Sequence, residues 1–305
     1  MRVAVMGAGS IGGYFGAMLS RGGNEVTLIA RGPHLEAIAE HGLKVVRDDE
    51  EFIVRCQATD DPNRVGAVDL VLLTVKTYHN EQAIPSMAPM VGQGTTVLCL
   101  QNGIDSYQSA GRAFGADMVL PGAAYIEAGM NGPGVVTQTG GFVQIAFGET
   151  EGGGSERCQA ISEALVQSGI PAQISDDIQQ TLWTKFLFIA TMAGVTSMSR
   201  QTMLELMLQP EWRQVIVACM REIETVGRAA GVNLEPRIVQ ETLDYIEGSM
   251  GQALASMHSD ILAGRPLELE ALNGAVCRAG SAANVPTPIN NVIYAMLKPS
   301  INGRR

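Results

Sequence analysis

Residues 2–9, RVAVMGAG, run apolar without a break until the glycines. A short unbroken apolar run bounded by turn residues predicts a strand covered on both faces. Residues 11–22 then carry helical spacing, and EVTLIAR (25–31) is the next apolar run. LKVVRDD (43–49) and EFIVRCQA (51–58) predict a hairpin or a pair of edge strands. DLVLLTVKT (69–77) and TTVLCLQNG (95–103) are two more buried strands, each ending in polar residues. Such strands alternating with helices predict a parallel sheet with helices on both faces. Residues 118–148 are β-rich with glycine turns and predict antiparallel strands added to that sheet.

The texture changes near residue 176. PEWRQVIVACMREIETVGRAAGV (210–232) places Trp212, Val215, Ile216, Cys219, Met220, Ile223 and Val226 at helical spacing, with Gly231 as the stop. Residues 237–247, 249–263, 268–283 and 288–297 also read as helices, and strand signals vanish. The boundary falls at SGIPAQISDD (168–177). The expected fold is therefore α/β: an N-terminal Rossmann-type domain over 1–175, then an all-helical C-terminal domain over 176–305.

Composition narrows the partners. A chain of 305 residues with 46% hydrophobic content can bury a core in each of two domains. The formal charge of −10 argues against nucleic acid and against docking on anionic membranes, both of which need a basic face. An anionic substrate would have to be met by a few local cations. The five cysteines (Cys56, Cys99, Cys158, Cys219, Cys277) form no CxxC pair, and His34, His41, His79 and His258 lack metal-ligand spacing, so no metal site is expected. The N-terminus enters a strand at once, with no signal-peptide pattern, and no apolar run is long enough to span a bilayer. The expectation is a cytoplasmic protein with reduced thiols.

Gly7-Ala8-Gly9-Ser10-Ile11-Gly12 matches G-x-G-x-x-G between a strand and a helix, the context that the motif requires. Gly7 permits the tight turn, Gly9 admits a pyrophosphate to the backbone, and Gly12 lets helix and strand pack closely. An acid at the end of the second strand would take a ribose 2′-hydroxyl. Here Arg31 stands instead, which suits a 2′-phosphate and so NADP. Ligands of open α/β sheets bind beyond the carboxyl ends of the strands. Lys76 and Gln101-Asn102-Gly103 arrive there. Each alone is equally an ordinary loop residue.

One further residue stands out. TLWTKFLFIATMAGVTS (181–197) sets Lys185 in an apolar run. A buried ammonium is costly unless it is paired or used, although a lysine can also snorkel from a surface helix.

GAGSIGG, TVKT, LCLQNG, LWTKF and GRPLELEALNG, in this order, resemble the ketopantoate reductases (2-dehydropantoate 2-reductases) over essentially the whole chain. The resemblance implies reduction of a 2-oxo acid by NADPH, with 2-dehydropantoate as default substrate and pantoate, on the way to pantothenate, as product. It makes Lys185 the general acid, with Glu268 catalytic and bound to both substrate and the cofactor end of the site. Ser256 would bind substrate, Asn102 both substrate and nicotinamide ribose, and Lys76 the cofactor. The YIEA turn would touch NADP through the backbone of Ala128. Taken singly, Ser256 is equally an ordinary helical serine, and Glu268 a first-turn helix acid.

The match departs at one place. The family's asparagines four and eight residues after the lysine, and one further along, align with Ile189, Ala193 and Met203. That favours a 2-oxo acid with an apolar side chain, or looser specificity. Two other readings stand beside this one. A dehydrogenase of opine or 3-hydroxyacid type would lean on a histidine, and only His79 lies near a strand end. A non-catalytic NADP sensor would have no use for Lys185 with Glu268. The Met-, Leu- and Ala-rich helical half offers a homodimer face, although core packing accounts for the same residues.

Overall fold

The computed structural model describes residues 1–47, 50–249 and 255–303. The chain divides into two compact units, one of residues 1–101 and 106–178, the other of 102–105 and 179–305.

The N-terminal unit contains β1 (Arg2–Met6), α1 (Ser10–Arg21), β2 (Glu25–Ile29), α2 (Gly32–His41), β3 (Leu43–Val46), β4 (Glu51–Val54), β5 (Gln57–Thr59) and β6 (Leu70–Leu73). It continues with α3 (Asn80–Ser86), β7 (Thr96–Cys99), α4 (Ser106–Phe114), β8 (Val119–Met130), β9 (Val135–Phe147), α5 (Glu156–Gln167) and β10 (Ala172–Ile174). The strands form one sheet in the order β4-β3-β9-β8-β7-β6-β1-β2-β5, with β10 on β9. From β5 to β8 every pairing is parallel. Strands buried on both faces explain the unbroken apolar runs, since two core clusters pack on the sheet.

The register sets the working edge. Met6 pairs with Ile29 and with Leu73, and Leu73 with Cys99. The chain therefore leaves these four strands at one level. The glycine loop, Arg31, Thr74 to Lys76 and Gln101 all follow from that level. Strand order reverses at β1, with β2 on one side and β6 on the other, which is where such sheets bind ligands.

Three expectations need correction in this unit. LKVVRDD and EFIVRCQA do give the antiparallel hairpin β3–β4, but the second run then breaks, and β5 pairs with β2 instead. Residues 118–148 form an antiparallel pair, yet β8 joins β7 in parallel. Strand β10, which the sequence pattern does not predict, lies inside the stretch that marks the domain boundary.

The C-terminal unit is helical: α6 (Ile178–Ser199), α7 (Met203–Met207), α8 (Pro210–Ala229), α9 (Ile238–Ser249), α10 (Ser256–Leu262), α11 (Asn273–Ala282) and α12 (Pro288–Leu297). One apolar cluster centred on α6, α8 and α11 forms its core. Two helices are shorter than their periodicity implies. The predicted helix 249–263 is described only as α10, with residues 250–254 outside the described residues. The predicted helix 268–283 begins at Asn273, because residues 269–272 form turns. Glu268 therefore precedes α11 rather than opening it. No helix among the described residues is long and apolar enough to cross a membrane.

Candidate active site

In the N-terminal unit, the glycine loop is held from behind. Gly7 has φ +107°, and a Cβ there would lie 2.7 Å from the Val75 side chain, so the turn is open only to glycine. The Thr74 hydroxyl donates to the Gly7 carbonyl at 2.9 Å, tying β6 to the loop. His34 bridges the other side. Its Nδ1 accepts from the Gly134 N–H at 2.9 Å, which leaves the proton on Nε2 to donate to the Ala8 carbonyl at 2.7 Å.

The space suits a phosphate. A Cβ on Gly9 would meet nothing within 4 Å. Gly9 is also the N-cap of α1 and supplies no side-chain cap, so the first N–H groups of the helix face an open cradle. Ser10 and Ile11 are half-exposed beside it, and Ala8 is buried. Gly12 packs against Gly7, Thr74 and Val5 with no room for a side chain. Arg31, the N-cap of α2, is exposed. No hydrogen bond or ion pair engages its guanidinium among the described residues.

Lys76 is half-buried and leads the turn at residues 77–79. Gln101 locks the neighbouring strand ends, donating to the Val75 carbonyl at 2.6 Å and to Asn80 at 2.7 Å. Residues 125–128 are part of β8 rather than the expected turn, and Ala128 lies there opposite Gln138. His79 is exposed. Nothing in the sequence marks Thr74 or His34 as loop supports, since each role depends on pairing across β6 or to residue 134.

In the C-terminal unit, α6 carries Lys185 between buried Leu182, Trp183, Phe186 and Leu187. The Trp183 and Phe186 rings meet edge to face at 5.7 Å. Lys185 Nζ donates to Asn102 Oδ1 at 3.1 Å. Burial pushes the ammonium down to about 8, against the raising field of Glu268. Glu268 is itself only 5% exposed. Asn102 comes from a loop anchored by buried Ile104, and at Gly103 (φ +114°) a Cβ would stand 3.0 Å from the Ala271 carbonyl. The 102–105 loop thus packs on the segment that carries Glu268.

Lys185, Asn102 and Glu268 are therefore brought together within one unit, with a lysine able to give up a proton near neutral pH. Ser256 is not part of that group: it is the exposed first residue of α10 and makes no hydrogen bond among the described residues. Of the three apolar replacements, Ile189 is half-exposed, while Ala193 and Met203 are buried in the core. Phe188 is half-exposed next to Ile189, its ring edge to face with Tyr245 at 5.7 Å.

The model of the family described as ketopantoate reductase PanE/ApbA matches residues 3–152, and that of its C-terminal part matches residues 177–300. This chain belongs to the ketopantoate reductase family. Among its family relatives, the 2-dehydropantoate 2-reductase of Lactococcus lactis subsp. lactis is 30% identical over 298 residues, covering 94% of each chain. That of Mesorhizobium japonicum is 28% identical, over 98% of this chain and 97% of its own. The solved structure of a PanE/ApbA family ketopantoate reductase from Ralstonia eutropha superposes with TM-score 0.91 at 29% identity, covering 98% of both chains. A ternary structure of D-mandelate dehydrogenase with NADH and anilino(oxo)acetate also gives TM-score 0.91, at 26% identity over 98% of both chains. The mixed sheet followed by helices is thus the ketopantoate reductase architecture.

Proposed function

We propose that this protein reduces a 2-oxo acid to a 2-hydroxy acid with NADPH, and that Lys185 is the general acid. One observation carries the reading: a lysine set in an apolar helix, lowered to about 8, fixed by Asn102 and faced by Glu268. When bound, the dihydronicotinamide supplies the hydride. As hydride reaches the substrate C2, negative charge builds on the ketone oxygen. The Lys185 ammonium stabilises that charge and then delivers its proton to it. Asn102 holds the ammonium through Oδ1, which leaves its Nδ2 to donate to the substrate. Glu268 keeps Lys185 protonated near neutral pH, because its field opposes the desolvation. The family resemblance alone adds Lys76 as a donor for the cofactor and Ser256 as a donor for the substrate.

The glycine cradle supports a dinucleotide, and relatives that carry NADH or are named reductases support the nicotinamide class. Arg31 favours the 2′-phosphate of NADP, since no acid stands at the end of β2. Arg31→Ala is expected to weaken NADPH by the worth of a charge-assisted hydrogen bond, about 1.5–3 kcal/mol, or about ten- to a hundredfold, with NADH unchanged. Equal weakening of both cofactors, measured by fluorescence titration, would remove Arg31 from phosphate recognition.

2-Dehydropantoate, the acid named for the curated relatives, is the first substrate to test. Half-exposed Phe188 and Ile189 beside Lys185 favour a second reading, an acid with an apolar side chain such as phenylglyoxylate or 2-oxoisovalerate. An apolar wall gains nothing from a substrate hydroxyl. Following NADPH loss by absorbance over these three acids decides the matter. A kcat/KM for 2-dehydropantoate well above the other two would sink the second reading. A cytoplasmic homodimer serving pantothenate synthesis belongs to the same proposal and rests on the family alone.

A further inference from the structure

Asn273, the first residue of α11, is completely buried, yet its Oδ1 has no hydrogen-bond partner. A leucine would suit such a place better unless the amide is needed, since an unsatisfied buried polar atom is destabilising. Its Nδ2 donates to the Ala190 carbonyl of α6 at 3.3 Å and to Asn290 Oδ1 of α12 at 3.0 Å. Asn290 in turn donates to Glu222 of α8 at 2.7 Å, and Glu222 also accepts the Ile289 and Asn290 backbone N–H groups. The approach to α6 depends on Gly194, because a Cβ there would lie 2.8 Å from both polar atoms of the Asn273 amide.

The positions of these contacts matter. Ala190 lies just over one turn beyond Lys185 on the same helix. Asn273 lies five residues after Glu268, and the turns between them are closed by the Glu268 carbonyl, which accepts from Ala271 and Leu272, and by the Leu269 carbonyl, which accepts from Gly274. Glu268 is thus carried on a short stiff segment whose far end is fastened to the lysine helix.

We infer that Asn273 is a positioning residue: it clamps the Glu268 segment onto α6 and so holds the carboxylate at a fixed distance from Lys185. The inference rests on the proposed roles of Lys185 and Glu268. Glu268 is a charged group whose field reaches Lys185, and that field raises its pKa. Releasing the clamp lets Glu268 drift, and Lys185 then titrates lower. A general acid that titrates lower is lost at lower pH, so the alkaline limb of the kcat profile moves down.

The test compares Asn273→Leu, Gly194→Ala and Asn290→Leu in the full chain. The first two disturb the contact with α6; the third leaves that contact in place and breaks the side-chain links of Asn290 to Asn273 and to Glu222. Asn273→Leu and Gly194→Ala are expected to lower kcat and to move the alkaline limb down by about one pH unit, with KM for NADPH unchanged. Asn290→Leu is expected to lower Tm while the limb stays in place. A ¹⁵N NMR titration of the Lys185 Nζ reads the same shift without turnover. If wild type reduces no 2-oxo acid but the Nζ titration moves in the first two variants, the clamp stands and the reductase reading falls. If the Lys185 titration is unmoved in whichever of the two variants folds, or moves equally in Asn290→Leu, Asn273 is only a structural residue. Failure of both variants to fold, as judged by circular dichroism, likewise makes Asn273 a structural residue and overturns the clamp.

Discussion

Lys185→Met is expected to lower kcat for 2-oxo acid reduction about a hundred- to ten-thousandfold, with NADPH affinity unchanged. Methionine matches the length of the stem and the apolar surroundings of Leu182, Trp183 and Phe186 but brings no proton and no charge. It removes the desolvation cost of the ammonium but leaves buried Glu268 without its cation, so Tm is expected to fall, and circular dichroism at the assay temperature checks that the variant is folded. Wild-type kcat should fall as pH rises through about 8, where the ammonium deprotonates, and this limb should vanish in the variant. The sign follows from the direction of the reaction. Ketone reduction consumes a proton, so the protonated lysine is the active form, and activity is present below its pKa. Lys185→Arg keeps the charge but cannot release a proton in this range, so it should not restore turnover. A variant with wild-type kcat and an unaltered pH profile would remove Lys185 from the mechanism.

Local features were the legible ones. The glycine spacing between β1 and α1 is set by residues a few positions apart, and the loop lies where the motif requires. Lys185 could be singled out because a cation in an apolar run is an anomaly in any fold. Two kinds of feature were hidden. Supports that depend on distant pairing, such as Thr74 on Gly7 and His34 on Gly134, leave no pattern in the chain. Helical periodicity also misleads at its edges. The buried residues Leu269, Leu272 and Val276 keep a helix-like spacing that runs back from α11 into the turns following Glu268. The same geometry separates Ile189 from Ala193. Ile189, four residues after Lys185, is turned by about 40° from it around the helix, and Ala193, eight after, by about 80°. One therefore borders Lys185, while the other faces the core, and the apolar neighbour of Ile189 on the exposed stripe is Phe188. A substrate argument built on the lysine-plus-four position survives this; one built on plus-eight does not.

Gly12→Ala is expected to destabilise the N-terminal unit by about 1–3 kcal/mol and to abolish tight binding of NADPH. The added methyl would run into the Gly7 carbonyl and the Thr74 hydroxyl, and 2.8 Å from Val5. Two of these three groups form the hydrogen bond that holds the loop, so the loop cannot yield without losing it. Gly9→Ala separates binding from stability. A Cβ at Gly9 meets nothing, and its backbone is not left-handed, so the fold should accept alanine with Tm unchanged. That same methyl would occupy the cradle over the start of α1, where the pyrophosphate is proposed to lie. NADPH affinity in Gly9→Ala should therefore fall tenfold or more, on the order of 1.4 kcal/mol. Thermal melts and fluorescence titrations of the two variants read both effects. If Gly9→Ala binds NADPH as wild type does, the phosphate does not sit on this helix, whatever Gly12→Ala shows.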